Sequence, residues 1–346
     1  MLVTTVDILN VKNGAAMRAK NLMYQFDIKE VCIISFFKYK SVIKNGTTYN
    51  YCGLSFMDLL LISHLILFKK IPISIAIFQR VKFNKYVKVK IIFHLLRAVQ
   101  INALKELEKN DNIIFDFCES HSNNLSKRRI NYNRVINFLL NFEINRLDKL
   151  ESKILVHFNE IFFITNNDIK FIKNKHKILP NKVKINTLNL RFSERNKRKL
   201  CFLGEMTYKP NIKALQWIDT FIDTIDYDVH VYGKYFKKPY LKNSDKFFFH
   251  GFVDDLDFHI KDSIATVFFS NESTGLQNKI LDYLNYGIPV FTNHEIADSF
   301  MLNHPLKLIK NKNDFIKSLN YLTSNELYYN NHTKLCKDYI YNNYSL

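Results

Sequence analysis

Residues 264–291, IATVFFSNESTGLQNKILDYLNYGIPVF, constrain the fold more than any other stretch of the chain. The run from Ala265 to Phe269 is short, apolar and rich in β-branched and aromatic residues, the pattern of a buried strand. It leads into Ser270-Asn271-Glu272-Ser273-Thr274-Gly275, small polar residues that favour a turn and can cap a helix. The spacing predicts a helix starting near Gly275, with Ile280, Leu281, Leu284 and Tyr286 at its apolar positions. Gly287-Ile288-Pro289 should stop it ahead of a second strand, residues 290–292.

Such a turn has chemical consequences. A helix beginning Gly275-Leu276-Gln277-Asn278 directs backbone N–H groups and a partial positive charge toward the carboxyl end of the preceding strand. Glycine lets the backbone approach a phosphate, and Lys279 adds a full positive charge one turn in. Asp282 follows at i+3 on the same face, where a carboxylate can accept bonds from sugar hydroxyls. Phosphate beside hydroxyl points to a nucleotide or nucleotide sugar, and ordinary βαβ packing is the alternative for the same spacing.

The rest of the chain repeats the alternation. Residues 3–9, 31–37, 87–93, 112–117 and 161–165 read as strands, with 182–185 as a further one and 38–51 as a loop or hairpin around Asn45-Gly46. A helix is expected over 133–158. Strands near 200–203, 228–232, 246–249, 265–269 and 289–292 then alternate with helices at 212–225, 256–261, 275–285 and 297–302, and 313–322 and 326–341 are terminal helices. Such alternation implies parallel sheets, hence an α/β chain with two doubly wound Rossmann-like domains. Residues 187–199, polar, basic and aperiodic, are the expected linker. The expected division is 1–190, 191–325 and a last helix, 326–346.

Bulk properties narrow the partners. Residues 56–68, FMDLLLISHLILF, are the most apolar segment but include Asp58 and His64, and are shorter than the about 20 residues of a membrane span. They are expected to form a buried amphipathic helix, with docking onto a membrane surface as the alternative. The N-terminus has no basic n-region or cleavage site, so a cytoplasmic protein is expected. Cys32, Cys52, Cys118, Cys201 and Cys336 show neither C-x-x-C nor metal-site spacing, which suits a reducing compartment and implies no structural metal. A formal charge of +18 attracts anions of every kind. No nucleic-acid-binding module is recognisable, and nucleic acid is not an expected partner; a membrane carrying lipid-linked phosphate acceptors is.

The stretch STGLQNKILDYLNYGIPV resembles the nucleotide-sugar signature of the retaining GT-B glycosyltransferases of family 4, the glycosyl transferases group 1 set, in its form T-G-I-Q-N-K-V-L-E-A-M-A-x-G-x-P-V. Residues 201–217, CFLGEMTYKPNIKALQW, are similar to the opening of the same domain, F-x-G-x-M-x-Y-x-P-N-x-x-A-x-x-W, and His250-Gly251-Phe252-Val253-Asp254-Asp255 to its G-x-V-x-D turn. Earlier in the chain, Gly14 and Arg18 resemble that family's opening G-x-x-x-R, and His94-Leu95-Leu96-Arg97 the H-L-x-R of related polysaccharide transferases. Residues 116–122 followed by Glu143, Arg146, Leu147 and Glu151 are similar to that subgroup's D-F-x-D-x-x-S and E-x-x-R-L-x-x-x-E, with Glu119 where aspartate is usual. The helix charges are expected to form an internal salt-bridge set. Pro180-Asn181-Lys182-Val183 keeps part of a P-N-G-V-D turn.

The resemblance implies a GT-B glycosyltransferase, with a last helix that crosses back onto the first domain, that moves a sugar from a UDP- or GDP-linked donor to a glycan or polyprenyl-phosphate-linked acceptor of a bacterial surface polysaccharide, at the inner face of the membrane. Its alternatives are a catalytically silent GT-B partner subunit and a sugar-nucleotide epimerase. Glycosyl transfer places growing negative charge on the diphosphate, which needs fixed donors. The Gly275–Gln277 amides and Lys279 supply them on one side, and the Gly204 turn with Lys209 on the other; with no D-x-D motif, no metal is expected. Asp282 matches, as a shortened version, the ribose-binding second glutamate of the family's Glu-x7-Glu pattern, and Thr274 occupies the first position, near the donor sugar. Retention implies front-face attack, the leaving phosphate taking the acceptor proton. Polar help is expected from His94, Glu119 and His121, with Gly14, Arg18 and Arg97 on the acceptor side of the cleft.

Overall fold

The computed structural model describes residues 1–9, 14–36, 40–80, 90–104, 113–118, 120–128, 133–165, 176–271 and 275–346. It forms two compact units, Met1–Asn181 and Lys182–Leu346.

The first unit holds strands β1 (Leu2–Thr4), β2 (Glu30–Ile34), β3 (Lys40–Lys44), β4 (Thr47–Cys52), β5 (Ile91–His94), β6 (Ile113–Cys118), β7 (Glu160–Phe163) and β8 (His176–Ile178). They make one sheet in the order β3-β4-β2-β1-β5-β6-β7-β8. Every pairing is parallel except the β3–β4 hairpin, whose turn residues Asn45 and Gly46 are both left-handed (φ 50° and 72°), as a tight hairpin demands. β1, β5 and β6 are buried at every position, which is why they read as continuous apolar runs. The helices are α1 (Gly14–Gln25), α2 (Phe56–Leu67), α3 (Ile73–Ala76), α4 (His121–Arg128) and α5 (Arg134–Leu155).

The second unit carries β9 (Asn196–Leu203), β10 (Asp228–Tyr232), β11 (Phe247–Gly251), β12 (Ser263–Phe268), β13 (Val290–Thr292) and β14 (Lys307–Leu308), all parallel, in the order β11-β10-β9-β12-β13-β14. Its helices are α6 (Lys209–Asp219), α7 (Leu256–Ile260), α8 (Asn278–Asn285), α9 (His294–Ala297), α10 (Lys312–Ser324) and α11 (Glu326–Tyr344). α11 packs along α8, and the chain end returns to Val183 of the same unit. Both units are thus doubly wound and Rossmann-like, as the alternation predicts, which is the GT-B fold. In each, strand order reverses beside the first strand, between β1 and β5 and between β9 and β12. Ligands of such sheets bind at the carboxyl ends flanking that reversal.

Five expectations need correction. The helix expected from Gly275 starts at Asn278, because Gly275 is left-handed (φ 64°) and Gln277 is extended. The end of the expected linker, residues 196–199, already belongs to β9, and residues 182–185 make a single bridge rather than a strand. The apolar helix α2 is not buried as a whole: Asp58, Ile62 and Leu65 are buried and Leu61 and Ile66 partly so, while its other residues are exposed, and Asp58 is held inward by a capping box with Ser55. The α5 carboxylates are not an internal ion-pair set. Glu143 accepts from the Ser74 backbone and hydroxyl at the start of α3, and Glu151 accepts from His121 N, Ser122 N and the hydroxyls of Ser120 and Ser122 at the start of α4.

Candidate functional site

In the second unit, β9 and β12 lie side by side, each followed by a turn and a helix, and their carboxyl ends bring Lys279 and the Gly204 turn together through Asn211. Lys279, in the first turn of α8, donates from Nζ to Asn211 Oδ1 at 2.7 Å. The same ammonium lies 3.3 Å from the ring centre of Phe268 and 5.2 Å from that of Phe202, the aromatic residues near the ends of β12 and β9. Among the described residues it is surrounded by an amide oxygen and two ring faces rather than a carboxylate. Burial pulls its pKa well below that of a free lysine. A cation held this way is poised for an anion from outside.

Asn211, in the first turn of α6, also donates from Nδ2 to Glu205 O at 2.9 Å and so fixes the Gly204 turn. Gly204 has no room for a side chain, since a Cβ there would sit 2.6 Å from Asn211 Nδ2. Gly233, with φ at 142°, would place a Cβ 2.0 Å from Gly204 O. The turns after β9 and β10 are therefore packed backbone to backbone. Lys209 is exposed at the start of α6.

α8 is located by Tyr283, whose hydroxyl accepts from Leu203 N at the end of β9. Asp282 is only half-buried at the helix surface, yet burial, helped by Asp257, pushes its carboxyl up to about 7. Asn293, after β13, bonds the turn that follows β12 through Ser270 N (3.4 Å), Ser270 O (3.2 Å) and Asn271 Oδ1 (3.0 Å). Gly275, Leu276 and Gln277 form the approach to α8, which begins at Asn278; Thr274, with Glu272, lies outside the described residues.

In the first unit the reversal point carries a buried cluster. Arg18 of α1 is turned inward, 1% exposed, with Nη2 2.6 Å from Asp116 Oδ1 and Nη1 donating to Pro180 O at 3.2 Å. His94, at the end of β5, meets Asp116 Oδ2 through Nδ1 (2.8 Å) and Ala15 O through Nε2 (3.0 Å). The Cys118 thiol donates to Asp116 Oδ2 at 3.1 Å. Burial pushes the Asp116 carboxyl up, but the Arg18 guanidinium and the His94 ring outweigh it and hold it well below the usual carboxylate range. Ligand atoms of His94, Asp116 and Cys118 all lie within 4.8 Å of one another, the separation of a metal site. The guanidinium on Asp116 opposes a cation there.

Gly14 is exposed at the first residue of α1, and Arg97 is exposed 5.9 Å over the Phe78 ring. His121 begins α4, its backbone N–H donating to Glu151 Oε1 at 2.7 Å. Glu119 lies outside the described residues. Asn211 and Asp116 stand inside the sequence motifs without being candidate site residues there, and Asn293 falls in none of them. Their partners are distant in sequence, and no local pattern marks them.

Residues 197–324 match the family model "Glycosyl transferases group 1". No curated protein matches the chain by sequence. Among solved structures, the chain is similar to the trehalose-6-phosphate synthase OtsA, at 10% identity over 99% of this chain and 95% of that one, with a TM-score of 0.65. It is similar to Anabaena HepE, solved with UDP and glucose, at 8% identity over the same shares, 99% and 95%, with a TM-score of 0.60. TarM aligns at 14% identity over 74% of this chain and 52% of its own, with a TM-score of 0.53, so the chain spans about half the length of TarM. The chain has the GT-B fold, and its second unit carries the glycosyl transferases group 1 pattern.

Proposed function

We propose that this chain is a retaining glycosyltransferase that moves a sugar from a UDP- or GDP-linked donor to a glycan or polyprenyl-phosphate-linked acceptor in bacterial surface polysaccharide synthesis, such as capsule, lipopolysaccharide or exopolysaccharide, at the cytoplasmic face of the membrane. The observation that carries the reading is Lys279: a half-buried lysine whose ammonium rests on an amide oxygen and two rings, at the start of α8 and beside the reversal of strand order. HepE, of the same fold, is described with UDP and glucose, which supports a nucleotide-sugar donor.

In this reading the donor diphosphate displaces Asn211 from Lys279 and lies between the start of α8 and the Gly204 turn, where Lys209 adds a second charge. Asp282 accepts from the ribose hydroxyls, and the segment from Thr274 to Gln277 borders the donor sugar. The bond from the sugar anomeric carbon to the phosphate oxygen breaks as charge grows on the diphosphate, and Lys279 stabilises that charge. The acceptor oxygen bonds to the same face of the anomeric carbon, and its proton passes to the leaving phosphate. The first unit binds the acceptor, with Gly14 and Arg97 at its border and polar help from Glu119 and His121. His94 and Arg18 act through Asp116, which ties the ends of β5 and β6 to α1.

The test is product analysis with a panel of UDP- and GDP-sugars and a lipid-linked or simple glycan acceptor. Transfer with the anomeric configuration of the donor retained is expected. Transfer with inversion, or donor epimerisation without acceptor, would overturn the reading.

A further inference from the structure

We propose that the face of the first unit formed by α2 and α5 docks onto an anionic phospholipid bilayer, seating lipid phosphates in a cationic cavity between the end of α2 and α5. α2 is turned inside out: Phe56, Met57, Leu60, Leu67 and Phe68 point to solvent, and Phe56 and Phe68 are each 73% exposed. Along α5, Val135, Phe138, Leu139 and Phe142 are also exposed, at the three- and four-residue spacing of one helix face. That face continues as Arg146, Lys149 and Lys153, so a single stripe is apolar first and cationic after.

The stripes meet where α2 ends. Lys69 and Lys70 form one wall of a cavity of about 440 Å³, and Phe142, Arg146, Lys149 and Lys153 line the other. Arg146 lies 5.1 Å over the Phe142 ring, joining the apolar and charged halves. The walls are fixed by Glu143, whose carboxylate accepts from Ser74 just past Pro72, so that negative charge is already engaged. Exposed apolar side chains on this scale mark a binding surface. Five cations beside them select an occupant with an apolar interior and an anionic surface, which describes a bilayer. A second copy of the chain is disfavoured by its formal charge of +18. Among the described residues no helix is long and apolar enough to cross a membrane, so the attachment is to the surface.

The test is flotation of the full chain with phosphatidylcholine vesicles, with and without about 30% phosphatidylglycerol, at low and high salt. It requires no donor or acceptor, so it can fail or succeed apart from the proposed activity. Binding only to the anionic vesicles, weakened by salt, is expected. Replacing Lys69, Lys70, Lys149 and Lys153 by Gln should weaken binding roughly a thousandfold, at about 1 kcal/mol per cation. A charge-matched control, Lys310, Lys312, Lys317 and Lys334 to Gln, should bind as the parent does. Phe56→Ser with Phe68→Ser and Phe138→Ser should also lose binding, with an unchanged melting temperature. If the parent ignores anionic vesicles, or the control loses as much as the cavity variant, the proposal is overturned. It is overturned as well if sedimentation shows a dimer that the Phe variants dissociate while vesicle binding stays the same.

Discussion

Lys279 and Asp282 are both held at odds with their preferred charge. For Lys279 burial disfavours the ammonium, so the folded state binds protons less readily than the unfolded chain, whose lysines titrate near 10.5. Between the lowered folded value and that point, stability rises with pH. Lys279→Met, which keeps the length of the side chain and removes the charge, should therefore raise the melting temperature at neutral pH and flatten its pH dependence. The same change should cut transfer by about a hundredfold to a thousandfold. A variant that melts higher and turns over normally would remove Lys279 from the mechanism. Asp282 has the opposite sign: its folded pKa is raised to about 7 from 3.8, so the stability tied to the protonated form is lost as pH rises through about 7. Asp282→Asn should flatten that fall in melting scans from pH 4 to 8, and weaken UDP or GDP binding in calorimetry. Unchanged nucleotide affinity would contradict its ribose role. These two residues were legible in the sequence because they share one helix face. Asn211 and Asp116 were not: their partners lie 68 and 98 residues away, and only the folded sheets bring them together.

At the scale of elements, the α5 carboxylates show what periodicity can and cannot give. The spacing of Glu143 and Glu151 put both on a helix, and that helix forms. It did not show that the starts of α3 and α4 would point their N–H groups at these residues, because the placement depends on β6 and on the loops after α2. Glu151 holds four bonds at the start of α4, two from backbone and two from serine hydroxyls. Glu151→Ala should lower stability in urea unfolding by roughly 2–3 kcal/mol, with Glu151→Gln intermediate. An unchanged midpoint would mean that α4 is held by packing alone. The late start of α8 has a comparable origin. Small polar residues announced a turn before the helix, but the left-handed backbone at Gly275 delays the first helical residue to Asn278.

For the whole molecule, the alternation of short apolar strands with helices was enough to read two doubly wound sheets. The order within each sheet was not, yet it matters most. Reversal of strand order beside β1 and β9 puts the Arg18–Asp116–His94 cluster at one sheet's carboxyl edge and the Lys279–Asn211 pair at the other's. Hydropathy also misread α2, because an apolar helix is normally a buried one. Its outward face is what the proposed bilayer docking requires, and the vesicle experiment tests it. The proposed function requires above all that the start of α8 hold a diphosphate. Crystals soaked with UDP or GDP measure this most directly. The expected result is a diphosphate oxygen about 3 Å from Lys279 Nζ, with the Asn211 bond released and the Gly204 turn on the other side. Nucleotide bound elsewhere, with Lys279 still donating to Asn211, would contradict it.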